Sequence, residues 1–251
     1  MRRGLAIVLF LIVMLFVVAI VVVYTSIGSV ITTTIEEYGS AVTGTKVTLQ
    51  EANFSPVSGD ATLVRLSVNN PPDYSDNNAF YAASIDMQID PKTVGDEVLV
   101  IKRLKIDAPE IFYEIRPDGD NLRVLRANIK AAIENPHLNI RAKSGMFVKK
   151  FIVNDFYLTN GVVIVQSDDL TGKKATALLE PIHLEDLGKD ENGLTPAGLV
   201  DKIYRPILKG ATLSALSTDL NLSDQAQNIL RAAGDETEEV LDRIKKLFGA
   251  D

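Results

Sequence analysis

Between Gly4 and Tyr24 the chain runs for 21 residues without a charged side chain. A helix rising 1.5 Å per residue covers roughly 30 Å over that stretch, the thickness of a bilayer's hydrocarbon core. Hydrocarbon offers the backbone no hydrogen-bond partner, so such a segment must bond within itself, as a helix does. Arg2 and Arg3 precede it, and the first charges beyond it are Glu36 and Glu37. Basic residues stay on the cytoplasmic side, which leaves the N-terminus in the cytoplasm and everything from Glu36 onward outside. A cleaved signal peptide would need an apolar centre of only about 7 to 15 residues before a small-x-small site. Ser26-Ile27-Gly28 is a faint candidate for that site, but the run is too long, and a retained anchor is expected.

The charge balance limits what the exported part can bind. The whole chain carries −7, and removing Arg2 and Arg3 leaves −9. That field disfavours nucleic acid, and it disfavours electrostatic docking on anionic lipid, leaving apolar contact as the route to a lipid. With no cysteine there are no disulfides, thiol nucleophiles or thiolate metal sites. Two histidines are present, His137 and His183. On an alternating strand His183 would share a face with Glu185, giving two ligands where zinc usually takes three or four, so no metal site is expected. The chain contains no Gly-x-Ser-x-Gly, phosphate-binding loop, dinucleotide fingerprint or His-Glu-x-x-His. Asp168-Asp169 and the pair Asp118 and Asp120 read as turn residues. The expectation is a non-enzymatic protein without a cofactor.

The exported part reads as α+β, a curved and mostly antiparallel sheet with one or more packing helices and a C-terminal helical segment. Ile85, Met87 and Ile89 alternate with polar residues, and the same period groups Val64, Leu66 and Val68, then Val98, Val100, Leu104 and Ile106, then Ile111, Tyr113 and Ile115. Asn160-Gly161 lies between two apolar runs, Phe151 to Leu158 and Val162 to Gln166, and suits a type I′ hairpin turn. Leu122, Leu125, Ile129, Ala132 and Ile133 recur at helical spacing until Asn135-Pro136. A second helix starts at Thr195 as N-cap with Pro196 at its first position, carries Leu199, Val200, Ile203 and Ile207, and should end or kink at Pro206. A third amphipathic stretch, with Val240, Leu241, Ile244, Leu247 and Phe248, is expected to pack on the β-rich domain rather than lie on a membrane surface, because Glu236, Glu238, Glu239 and Asp242 make its first half a poor partner for anionic lipid. The divisions are an anchor over 1–31, a β-rich domain over 32–190 and a helical segment over 191–251.

Consecutive antiparallel strands would set Val64, Leu66, Val68, Ile85, Met87, Ile89, Leu104 and Ile106 side by side on one concave apolar face. Part of that wall, left uncovered, would accept an acyl chain; wholly covered, it would be an ordinary core.

Several marks together resemble the start of AsmA-like proteins: Val42-Thr43-Gly44-Thr45-Lys46-Val47-Thr48, Ser58-Gly59, Asn69-Asn70-Pro71-Pro72, and Asn121-Leu122 opening a helix. Leu184-Glu185-Asp186-Leu187-Gly188 followed by Gly193-Leu194-Thr195-Pro196 resembles short members of that group. Where relatives often carry Gly-Phe after the Asn-Pro turn, this chain has Asp73-Tyr74. The resemblance implies a bacterial inner-membrane protein with one N-terminal span, residues 4–24, and a periplasmic domain concerned with lipid handling or envelope homeostasis. Its implied partners are phospholipid acyl chains and other envelope proteins. About ten strands side by side would span about 50 Å, too little to bridge two membranes alone. The competing reading is a membrane-tethered interaction module built as a β-sandwich, like the water-stress domains of late-embryogenesis-abundant proteins, with no lipid ligand.

A reporter active only in the cytoplasm, fused after Asp251, should stay silent in bacterial cells. A bright signal would contradict the assigned orientation.

Overall fold

The computed structural model describes residues 28–135, 149–167 and 174–216, together with Asn228 and Arg231. The expected span Gly4 to Tyr24, His137, Asp168-Asp169 and the Val240 to Phe248 helix lie outside the described residues. Among the described residues no helix is long and apolar enough to cross a membrane.

The chain enters as a helix over residues 28–43, α1. Four strands follow, β1 (Val47–Phe54), β2 (Asp60–Asn69), β3 (Asn78–Ile89) and β4 (Val98–Asp107), and then β5 (Glu110–Arg116) and the short β6 (Gly119–Asp120). Helix α2 (Asn121–Glu134) precedes β7 (Lys150–Thr159), β8 (Val162–Ser167), β9 (Lys174–Leu178) and β10 (Ile182–Leu187), and α3 (Pro196–Leu216) closes the order. The class is α+β, and all ten strands join one largely antiparallel sheet. A two-sheet sandwich is therefore not the architecture of the described residues.

Apart from the two-residue β6, which pairs only with β5, the strands occupy six hydrogen-bonded lines. β4 runs on into β5, β7 into β8, and β9 into β10: β4 pairs parallel with β7 while β5 pairs parallel with β8, and β10 and β9 pair antiparallel with β7 and β8. The sheet is thus about 25 Å wide rather than 50 Å, and its longest line, residues 98–116, reaches roughly 55 Å. Parallel neighbours need a crossover, which β6 and α2 begin.

This arrangement corrects the hairpin expected at Asn160-Gly161. A type I′ turn needs positive φ at both central residues, and here only Asn160 has it, at 56°. The chain does not reverse; β7 and β8 continue in one direction along β4 and β5. Asn160 Nδ2 and Thr159 Oγ1 both donate to Asp107 Oδ1, at 3.0 and 2.6 Å, which holds the Asp107 carboxyl below its ordinary range. Gly161 matters for space, since an added Cβ would lie 3.1 Å from Leu179 Cδ2 and 3.2 Å from Leu158 Cδ2.

Each of the six lines slips phase at the same level. The inward residues step by three instead of two: Leu49 to Ala52, Leu63 to Leu66, Ala82 to Ile85, Ile106 to Pro109, Leu158 to Gly161, Leu179 to Ile182. Two successive residues then face outward in every line, and the pairing register on either side is kept. Flanking pairs place Gln50, Arg65, Ala83, Ala108, Asn160 and Glu180 in one row across the sheet. Three of that row hold left-handed backbone: Arg65 (φ 53°), Ala108 (φ 48°) and Asn160 (φ 56°). Because partners stay one-to-one through the row, this is not a β-bulge, which sets two residues against one; it is a shared break in the pleat, a bend line marked by three left-handed residues.

The slip also corrects two alternation sets. Val64 falls on the outward side of Leu63 and leaves the group of Leu66 and Val68. In β4 a second slip at Lys102-Arg103 turns Leu99 and Ile101 inward, so Val98 and Val100 do not share a face with Leu104 and Ile106. Ile111, Tyr113 and Ile115 are buried together as expected.

The helices start and stop for local reasons. Asp120 caps α2, its carboxylate accepting from the Arg123 N–H at 2.8 Å, and Asn135 ends it before Pro136. Thr195 caps α3 as expected, its hydroxyl accepting from the Gly198 N–H at 3.2 Å. Pro206 does not end α3, which continues to Leu216. Beyond the proline, Ile207, Leu208, Ala211 and Ala215 are buried against the sheet, and that packing outweighs one missing hydrogen bond. Val200, placed on the apolar stripe by spacing, is exposed instead.

Left-handed backbone costs a non-glycine residue about 1 to 2 kcal/mol. Asn160→Val and Ala108→Val should each lower stability by more than about 1 kcal/mol, whereas Ala108→Gly should hold or raise it. Chemical denaturation of the detergent-solubilised chain checks this. Equal midpoints for all three variants would contradict the strained left-handed backbone assigned to this row.

Candidate functional site

The eight wall residues separate into three groups. Ile85, Ile89, Leu104 and Ile106 are 5 to 8% exposed and belong to the hydrophobic core. Leu66, Val68 and Met87 pack against that core but are only partly buried. Val64 stands apart on the outward face, between Glu51 and Ser84.

Coverage differs across the sheet because the helices sit toward one side. α2 buries Leu122 and Leu125, and α3 crosses the β7–β10 side. Tyr204 Oη donates to the Leu122 carbonyl at 2.8 Å, Tyr113 Oη lies 3.4 Å from Thr212 Oγ1, and Ser214 Oγ donates to the Leu178 carbonyl at 2.8 Å. Burial pushes both tyrosine hydroxyls well above the ordinary phenol range.

On the opposite side α1 lies along the free edge of β1. Its side chains take over backbone groups that an edge strand leaves open: Glu36 Oε1 accepts from the Leu49 N–H and Ser40 Oγ from the Val47 N–H, each at 2.9 Å. Gly28 comes so close that an added Cβ would lie 2.5 Å from the Ala52 carbonyl oxygen. Ile31 and Ile35 pack on the core, so the helical turn before residue 32 joins the β-rich domain. Ile31, Ile35, Phe54, Leu66, Val68, Phe80 and Met87, on α1 and β1–β3, are partly covered apolar residues packed on the core, a strip interrupted by the buried pair Leu63 and Ile85. Sequence alternation supplied Leu66, Val68 and Met87. It did not supply Phe54 and Phe80, whose face follows only from the strand pairing.

The residues that carried the AsmA-like resemblance hold the fold together at one end. Asn121 is fully buried; its Oδ1 accepts from the Glu114 N–H, and its Nδ2 donates to the Phe112 carbonyl and to Asn70 Oδ1, both at 2.7 Å. It thereby fills the stretch of β5's edge between the contacts with β3 and β6. The buried Glu114 carboxylate also accepts from Asn70 and from the Ser75 N–H, and pairs with Arg116 at 2.9 Å. Gly44, at φ 66°, lets the chain leave α1 where a Cβ would meet Asn128 Nδ2 at 2.7 Å, and that amide donates to the Thr43 carbonyl.

Two open grooves flank this end. One of about 820 Å³ lies between Ser40–Lys46 and Asn69–Asn77, and one of about 560 Å³ around Tyr74, Arg116 and Arg123. Neither touches the apolar strip. On the outward face, Asp155 of β7 meets His183 and Glu185 of β10, so the pair seen in the sequence gains a third possible ligand from a neighbouring strand.

Comparison with protein-family models, curated proteins and solved structures gave no match for this chain.

Proposed function

We propose that the protein is a membrane-anchored, non-catalytic domain of the AsmA-like type, held to the bacterial inner membrane by residues 4–24, which handles lipid at the periplasmic face. The strip of Leu66, Val68 and Met87 carries this reading, because it is the part of the wall that the core does not close over. It lies beside α1, which follows the proposed span directly in sequence, so an acyl chain leaving the bilayer would meet it first. Each methylene removed from water contributes about 0.8 kcal/mol, so a few suffice for useful binding. A width of about 25 Å suits shielding single lipids or joining a longer assembly rather than bridging two membranes.

The competing reading, a tethered interaction module without lipid, draws on the burial of Ile85, Ile89, Leu104 and Ile106, which makes half of the wall an ordinary core.

Leu66→Glu and Met87→Glu in the detergent-purified chain should preserve the fold and lower co-purifying phospholipid at least fivefold by mass spectrometry. Ile85→Glu should unfold the domain. Absence of lipid from the unmutated chain, or unfolding by all three substitutions, would leave the interaction module standing.

A further inference from the structure

The outward face carries a feature that the lipid reading does not use. Lys102-Arg103 of β4, Asn154-Asp155 of β7 and Glu185-Asp186 of β10 are successive outward pairs at one level, a second slip beyond the one that crosses the whole sheet. It sets the Asp155 and Glu185 carboxylates directly opposite each other. Like charges in that position repel. Among the described residues, the one basic side chain within ion-pair distance of either carboxylate is His183, whose Nε2 lies 3.1 Å from Asp155 Oδ1. Arg103, although paired with Asp155 in the ladder, forms no ion pair with it.

The imidazole is held in place. Its ring stacks on Tyr157 with centroids 4.3 Å apart and planes 10° from parallel, and Tyr157 Oη donates to the same Asp155 oxygen at 3.3 Å. The stack sets the ring's in-plane nitrogen toward the carboxylates. One donor atom from each of Asp155, His183 and Glu185 lies within 4.8 Å of the other two. Donors about 2.0 to 2.2 Å from a shared tetrahedral zinc ion stand about 3.3 to 3.6 Å apart, so the set closes when the exposed Glu185 side chain rotates inward by about an ångström.

We propose that Asp155, His183 and Glu185 form a site for a divalent first-row transition cation, which clips the edge strand β10 to β7. Two carboxylates and one imidazole suit zinc, manganese, cobalt or nickel, whereas magnesium and calcium prefer oxygen donors alone. The cation neutralises the facing carboxylates and takes the place of the hydrogen that bridges His183 and Asp155. Its remaining positions stay open to water.

Isothermal titration of the detergent-solubilised full chain with zinc chloride tests the assignment. One zinc per chain is expected, with a rise in thermal midpoint. His183→Ala and Asp155→Asn should keep the metal-free midpoint, since these side chains are exposed or half-exposed, and should weaken zinc at least about tenfold. His137→Ala should bind as the unmutated chain does, and magnesium at the same concentration should not compete. No zinc binding, or binding and stabilisation that survive His183→Ala, would overturn the site; loss with His137→Ala would place the zinc elsewhere; equal binding of magnesium would overturn the cation class.

Discussion

The fold depends on every strand line inserting its extra outward residue at the same level. A single β-bulge shifts the side chains of one strand against its neighbours and disrupts the ladder locally. Here all six lines slip together, so the inward faces stay matched on both sides of the bend and the register is preserved across it. The cost is left-handed backbone at Arg65, Ala108 and Asn160, offset by the pairing and core contacts retained on both sides. Asp107, by accepting from Thr159 and Asn160, ties two of the bends together.

From that bend follows the distribution of apolar surface. The face beyond it, Ile85, Ile106 and Leu158, is buried with residues before it such as Ile111 and Val163 in one core. α2 and α3 gather on the β5–β10 side, while α1 shields the β1 edge. The strip on α1 and β1–β3 is partly covered because the helices are placed asymmetrically. The outward face holds the Asp155, His183 and Glu185 group, so the apolar strip and the proposed cation site lie on opposite sides of one sheet.

Much of this was legible in the sequence, and the failures share one cause. α2 and the start of α3 follow from periodicity and capping residues, and Ile85, Met87, Ile89, Ile111, Tyr113 and Ile115 from strict alternation. Val64, Val98 and Val100 were misplaced because period two was carried across a slip, and alternation alone gives no sign of the slip when the residues on both sides are apolar. Asn160-Gly161 misled for a related reason: Asn favours left-handed backbone both in a tight turn and where a strand slips phase, and only the partner strands distinguish the two. Pro206 lay within a helix whose packing outweighs its local penalty. Asp155 was invisible beside His183, since it reaches the site across β7 and β10 from 28 residues away.

The central claim, that the partly covered strip contacts lipid while the rest of the sheet does not, is tested most directly by photo-crosslinking in intact bacterial membranes. A photoreactive amino acid placed at Met87 should capture phospholipid, and the same group at Thr62, on the outward face of β2, should capture none. Equal capture at both positions, or none at Met87, would contradict the account.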